Sequence, residues 1–560
     1  MIRPRRPQSS LNFQANRLGR VNALWALLAG GTAIVAAMGV LLNFGGPERP
    51  PEGKSLTVFC AAGLRIPVEK IAEEYEKEYG VHIDLQYGGS NALLNQLQVN
   101  KFSDADLFLA ADDFYTDAAH EQGLAKERMN IAWMRPVIAV AKDNESIKSI
   151  QDLLKPEIRV ALGDPEAAAV GRAARKRLKS IAHGDSDLWT LLAANATENG
   201  VFKPTVNEIA NDVRIGTVDA AIVWDSTVAM PKYKNDLKAI PVPELDGDPN
   251  LVTVSVLTSS KVPTAAIRFA RYLSASNRGL KVFEENGTRP VDGDIWVEKP
   301  EITFFCGAVN RRAVEDVVQD FATREGVTVN TTYDGCGTLT GRMKIVEGQA
   351  TDLGFPDVYM ACDRYYLDNV KDWFQEDVDV SDTEIVLVVP KGSDKVKTLA
   401  DLLKPGIRVS VGEADQCTLG ALTRRLLASE ELYEKLKAKQ TADGEVVVEK
   451  ASSALIIPDV TAGHVDAGIA YITDAKANAH KVDIIHIESK LNLAIQPFGI
   501  AKTSVHKYLV RRLFARVAAS KDKFEKAGFH FRLGKDGKDK SSADEPATDQ
   551  GTVSGKDAGQ

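Results

Sequence analysis

The chain has little cysteine and little histidine. Five cysteines in 560 residues are too few for a disulfide scaffold. No two of the eight histidines stand four residues apart, so there is no H-E-x-x-H metal helix. No Walker-type phosphate loop and no glycine-rich dinucleotide loop is present, which removes two large enzyme classes. An excess of charge of one sign is also missing. Lys and Arg number 69 against 77 Asp and Glu, a formal net charge of −8, so a broad nucleic-acid surface is excluded. Glycine (42) and proline (23) are unperiodic and near average, so the chain is not fibrous. What is present is ordinary globular composition, 44% hydrophobic and 26% charged, which rules out wholesale disorder. At roughly 150 residues per domain, the length predicts three or four units.

Residues 1–20 hold Arg3, Arg5, Arg6, Arg17 and Arg20 and no acid. Residues 21–44 then carry no charge at all. About 20 apolar residues span a bilayer, so 21–44 reads as a transmembrane anchor. A cleavable signal peptide has a shorter apolar core and a small-residue cleavage site. The stretch Leu41-Leu42-Asn43-Phe44-Gly45-Gly46 matches such a site poorly. The arginines stay inside, which places the rest outside a bacterial inner membrane. Residues 45–54, with Pro47, Pro50 and Pro51, form a short stiff linker.

Beyond the linker, one unit is written twice. Ser55-Leu-Thr-Val-Phe-Cys60 returns as Glu301-Ile-Thr-Phe-Phe-Cys306. Tyr87-Gly-Gly-Ser90 returns as Tyr333-Asp-Gly-Cys336. Asp152-Leu-Leu-Lys-Pro156 returns as Asp401-Leu-Leu-Lys-Pro405. Val218-Asp-Ala-Ala-Ile-Val-Trp224 returns as Val465-Asp-Ala-Gly-Ile-Ala-Tyr471. Four blocks in one order at near-constant offset indicate tandem duplication. The period is far too long for a solenoid. The expected domains are 55–297 and 298–533. The tail 534–560 is polar and without apolar periodicity, so it reads as disordered.

Each copy alternates strand and helix. Ser55–Phe59 is a strand-like run, followed by Pro67, a good first helical residue. Val68, Ile71, Ala72 and Tyr75 recur at helical spacing, as do Val314, Val317, Val318 and Phe321. Residues 81–87 alternate as a strand, and 106–110 (357–361) form another. Val137–Ala141 and Ile385–Val389 are continuous apolar runs, as buried parallel strands tend to be. The order predicts an α/β fold with an open, mostly parallel sheet. Ligands of such sheets bind outside the carboxyl ends of the strands.

The residues at those ends resemble a known family. V-F-C-A-A-G-L-R, Y-G-G-S-N-A-L, A-D-L-F-L-A-A-D and V-A-L-G-D-P-E look like the periplasmic molybdate-binding proteins of ABC importers. The second copy matches more loosely. The resemblance implies two tandem periplasmic-binding domains, each of two α/β lobes joined by a hinge. It implies an oxyanion, molybdate or tungstate, as ligand, an importer permease as partner, and neither enzymatic activity nor a cofactor. It also implies site positions. In the first copy these are Ala62, Gly63, Ser90 and Asn91 on two loops, backbone donors at Val170 and Val206, and Trp224. The family's first-loop hydroxyl position holds Gly63, so only its N–H can serve there. In the second copy the matching positions are Val309, Cys336, Leu419 and Tyr471. Arg65 and Arg311, at the first helix of each copy, are further candidates to reach an oxyanion. They have the alternative of pairing with an acid.

The chemistry fits these residue types. Backbone N–H groups at helix N-termini hold dianions without full countercharges, and small residues let the backbone approach. Four of the five cysteines, Cys306, Cys336, Cys362 and Cys417, fall in the second copy, all after expected strands. They are weak candidates for a soft-metal site. Disulfides and free buried thiols are the alternatives. The first copy is the better oxyanion candidate. A sensory or interaction module with a diverged cleft is the competing function.

Overall fold

A computed structural model describes residues 55–100, 104–346 and 354–534. The expected anchor and linker, and nearly all of the expected tail, lie outside the described residues. Among the described residues no helix is long and apolar enough to cross a membrane.

Each repeat opens in the same way. The strand Ser55–Ala61 lies parallel between His82–Gly88 and Leu107–Ala110. In the second repeat Glu301–Gly307 lies parallel between Thr328–Asp334 and Val358–Met360. Ser55 faces His82 as Glu301 faces Thr328, and Val58 faces Leu107 as Phe304 faces Val358. The duplication thus extends to strand register. The first helices, Arg65–Tyr79 and Arg311–Glu325, bury one apolar stripe each. Both stop at a glycine in the left-handed region, Gly80 (φ 66°) and Gly326 (φ 65°), a conformation that penalises a side chain. The first helix begins at Arg65, two residues before Pro67. Proline still fits, because N–H groups of a first turn have no partner within the helix.

Two sheets follow in the first repeat. One carries six strands, in the order Arg289–Pro290, Ala125–Met134, Asn250–Leu257, Leu107–Ala110, Ser55–Ala61, His82–Gly88. The other carries five, in the order Leu237–Ile240, Pro136–Ala141, Ala220–Trp224, Val160–Gly163, Val201–Lys203. The expectation of mostly parallel sheets needs correction. Pro136–Ala141 is antiparallel to both neighbours, and Ile385–Val389 pairs antiparallel on both sides. A continuous apolar run reports burial on both faces, not strand direction.

The repeats differ where their lobes join. In the first, the chain leaves the ladder at Arg135, between Ala125–Met134 and Pro136–Ala141. In the second, one strand, Phe374–Pro390, runs without a break through a single ten-stranded sheet, with register shifts near Glu376 and Ser381. Each repeat has its own apolar core, one from Leu56 to Phe283 and one from Ile302 to Leu533. The repeats touch through Arg324, which holds Glu127 with two bonds of 2.9 Å. Thr264 also donates to the Thr323 carbonyl at 3.4 Å.

Candidate functional site

In the first repeat the loops at the carboxyl ends of both sheets close on one small cavity. Ala61, Ala62, Gly63, Gly88, Gly89, Ser90 and Ala111 line it from one lobe. Ala168, Ala169, Val170, Pro204, Thr205, Val206 and Trp224 line it from the other. No charged side chain is among them. Four helical segments begin at its wall: Ala62–Leu64, Ser90–Val99, Ala169–Leu178 and Val206–Arg214. Their first N–H groups have no partner within the helix, and the helix dipoles favour negative charge there. The centre of a water-sized sphere has about 20 Å³ in which to move. Treated as a sphere, with a water radius of about 1.4 Å restored, the hole is roughly 3 Å in radius.

Ser90 is the one hydroxyl of the first lobe at this wall, and it is buried. Its Oγ accepts the Ala111 N–H at 3.2 Å. That bond uses a lone pair and leaves the hydroxyl proton to donate into the cavity. Gly63 is required small: a Cβ there would stand 2.8 Å from Val206 Cγ1. Trp224 is buried beside Gly63 and precedes the helix Asp225–Ala229. Its indole has a single N–H to offer.

The lobes are held shut across this cavity. The Asn91 side-chain amide donates to the Glu166 carbonyl at 2.6 Å, and its backbone N–H reaches the Ala167 carbonyl at 3.3 Å. Asn207 donates to the Ala62 carbonyl at 2.6 Å. Arg172 pairs with Asp112 at 3.3 Å. At Gly89 a Cβ would stand 2.3 Å from the Ala167 oxygen and 2.8 Å from that of Pro204. Only glycine admits this approach of two backbones.

The structure therefore brings Ala62, Gly63, Ser90, Val170, Val206 and Trp224 together. Asn91 lies outside the wall and ties the lobes. Arg65 also lies outside it, 57% exposed, bonded to Glu69 at 2.8 Å and stacked over Tyr87. Arg311 repeats this with Glu315 and Tyr333. In both cases the guanidinium is engaged by a carboxylate one helical turn away. Gly89, Ala111 and Ala168, also expected at the ligand edge, line the wall as well, whereas Pro204 and Thr205 were not foreseen. Small residues after a strand were the signal of the first three.

In the second repeat sulfur takes the matching places. Cys336, Cys362 and Cys417 stand where Ser90, Ala111 and Ala168 line the first cavity. All five cysteines are free and buried. Cys336 and Cys362 approach to 2.8 Å between sulfurs, and the Cys362 N–H donates to Cys336 Sγ at 3.0 Å. That second bond reproduces Ala111 to Ser90. A Cβ on Gly307, the counterpart of Ala61, would stand 2.3 Å from Cys362 Sγ and 2.8 Å from Cys336 Sγ. The lost methyl makes room for the sulfurs. Burial pushes the Cys336 thiol up, but the Cys362 thiol and N–H pull it down, and its net shift is downward. The Cys362 thiol is raised, first by its bond to Cys336 and then by burial. Val309 and Leu419 are buried, and Tyr471 is buried with a hydroxyl that has no hydrogen-bond partner. Cys306 is buried, its Sγ 3.7 Å from the Gly307 carbonyl. Among the described residues no group of three His, Cys, Asp or Glu side chains is placed to hold a metal ion.

Comparison with known proteins agrees with this architecture. The pattern of the family described as bacterial extracellular solute-binding protein matches residues 56–289 and again 302–530. A Haemophilus influenzae binding protein is 30% identical over 241 residues, 43% of this chain and 92% of its own. The molybdate-binding protein ModA of Escherichia coli is 27% identical over 258 residues, 44% of this chain and 96% of its own. Among solved structures, the substrate-binding domain of a molybdenum ABC transporter from Clostridium difficile is 25% identical. It covers 43% of this chain and 100% of its own, with a TM-score of 0.33. The chain belongs to the bacterial extracellular solute-binding protein family and carries that family's domain twice.

Proposed function

We propose that the first repeat captures a small tetrahedral oxyanion, molybdate or tungstate, and presents it to an ABC importer. Segment 21–44 anchors the protein in the inner membrane, with both repeats on the outer side. The carrying observation is the uncharged cavity, roughly 3 Å in radius, ringed by helix N-termini and the Ser90 hydroxyl. That size suits a four-oxygen anion. The Escherichia coli relative named for molybdate binding supports the same reading. Site residues are Ala62, Gly63, Ser90, Val170, Val206 and Trp224, with Asn91 as a latch between lobes.

Capture follows from closure. In an open form the helix N-termini of the two lobes are apart, and water solvates them. Closure replaces that water with the oxyanion. The anion then takes N–H bonds from both lobes at once. A smaller ion leaves donors unfilled, and a larger one holds the latch open.

Calorimetric titration with molybdate, tungstate and sulfate tests the reading. Molybdate and tungstate saturate one site per chain, with sulfate weaker. No heat with any of the three would sink it.

A second reading concerns the second repeat alone. The paired sulfurs of Cys336 and Cys362 favour a diverged cleft that takes a thiophilic ligand or none. A second oxyanion equivalent per chain would exclude it.

A further inference from the structure

A larger cavity, of about 250 Å³, lies apart from both clefts. It is built from the first repeat, the connecting segment 292–300 and the helix Lys507–Ala518 of the second. Its floor is Arg271, on the helix Pro263–Leu273 and 8% exposed. Arg271 forms no ion pair among the described residues. Its side chain donates one hydrogen bond there, from Nη2 to the Glu298 carbonyl, at 3.3 Å. Its buried Nε has no hydrogen-bond partner. Burial lowers its pKa to about 10, so the charge is held at a cost and an anion would relieve it.

The other charges at this wall are already engaged. Arg512 holds Glu325 through two bonds, of 2.8 and 2.9 Å. Arg511 pairs with Glu376, and Arg128 with Asp117. Asp294 accepts the Tyr508 and Leu509 N–H groups at 3.0 and 2.9 Å, capping a helix start. Asp292 is exposed at the rim. Arg271 is thus the cation of this cavity with no carboxylate in ion-pair contact among the described residues; Glu325 acts on it only at longer range, and its guanidinium lies 5.8 Å from the Trp296 ring centre. The remaining wall is mixed, with Met129, Trp296, Tyr508 and Leu509 beside the polar Asn130, Ser274 and His506. Ile295 and Val297, both in its lining, are 54% and 41% exposed.

We propose that this cavity between the repeats binds a small organic carboxylate with an apolar body. The carboxylate meets Arg271, whose planar fork suits two parallel bonds to it. The body lies against Trp296 and the apolar rim. The volume admits one ring-sized group. The site is independent of the oxyanion reading, because no residue is shared with the first cleft. Its occupant touches both repeats.

The test uses the whole chain and benzoate, with benzamide as its neutral isostere. Benzoate saturates one site and raises the melting temperature, and benzamide binds at least roughly tenfold more weakly. Arg271→Gln abolishes the preference for benzoate. Ala515→Trp, at an exposed rim position, blocks benzoate without touching the core. Molybdate binding is unchanged in both variants. Equal binding of benzoate and benzamide would overturn the proposal, as would benzoate binding that survives both variants. Displacement of benzoate by equimolar sulfate would also overturn it, in favour of a plain anion hole.

Discussion

The two clefts share a backbone plan and differ in what fills it. In the first, Ser90, Ala111 and Ala168 leave a hole at the meeting point of helix N-termini. In the second, the same three places hold Cys336, Cys362 and Cys417, all buried. The bond from residue 111 to residue 90 survives as 362 to 336. The methyl of Ala61 is given up as Gly307, because two sulfurs occupy its space. A cleft can therefore keep its hydrogen-bond framework while its chemistry changes from hard to soft. Packing changes in step, since interiors tolerate neither overlap nor voids.

Substitutions can break that comparison, and the largest effect is expected at Gly89. Gly89→Ala drives a Cβ into two backbone oxygens of the opposite lobe, which only opening relieves. Overpacking of this kind costs about 3 kcal/mol at the upper end, and molybdate affinity falls on the order of 100-fold. The counterpart Gly335→Ala meets its nearest oxygen at 3.1 Å and is tolerated. Calorimetry and melting curves of the pair check this. Similar losses in both would break the comparison.

Ser90→Ala comes next. It removes a hydrogen bond to a charged ligand, about 2 kcal/mol, or roughly 30-fold in affinity. Unchanged oxyanion affinity would remove Ser90 from the site. Asn91→Ala removes the amide latch to the Glu166 carbonyl. A neutral bond contributes about 1 kcal/mol, so affinity drops roughly fivefold, seen chiefly as faster release in stopped flow. The second repeat already has Gly337 there, with no side chain to latch.

The smallest expected contrast is at two matched aspartates. Asp466 binds the Arg408 N–H and guanidinium and also Lys395. Asp219 binds Arg159 in the same way. Hydrogen bonding to the arginine holds both carboxyls below the usual range. Their stabilisation is thus complete above about pH 4, the ordinary Asp value, and is lost as pH falls further. Asp466 is 9% exposed and Asp219 30%. Acid titration of Asp466→Asn should therefore lose about 0.5–1 kcal/mol more than Asp219→Asn. Equal losses would mean the extra lysine contributes nothing.

Much of this was legible in the residues. Repeated blocks such as Val218–Trp224 and Val465–Tyr471 exposed the duplication, and small residues after strands marked the loops at the cavity. Family resemblance supplied Val170 and Val206, whose side chains say nothing about a backbone donor. Strand direction at Val137–Ala141 was hidden, because an apolar run carries no sign of antiparallel pairing. Arg65 was misleading in another way. Its position suggested the cleft, yet Glu69 stands one turn away. The latch of Asn91 to residue 166 and the lack of an ion pair at Arg271 among the described residues depend on contacts distant in sequence, which no local pattern encodes.

The unbroken strand Phe374–Pro390 has a mechanical consequence. A joint made of one residue outside the ladder, as at Arg135, turns by rotating a few backbone dihedrals once its two bonds to Asp225 yield. A joint made of continuous ladder bends only by straining paired backbone along its length. The same opening angle thus requires more work in the second repeat than in the first. The Glu127–Arg324 bonds tie the two joints into one body, so opening of the first cleft is expected to leave the second closed.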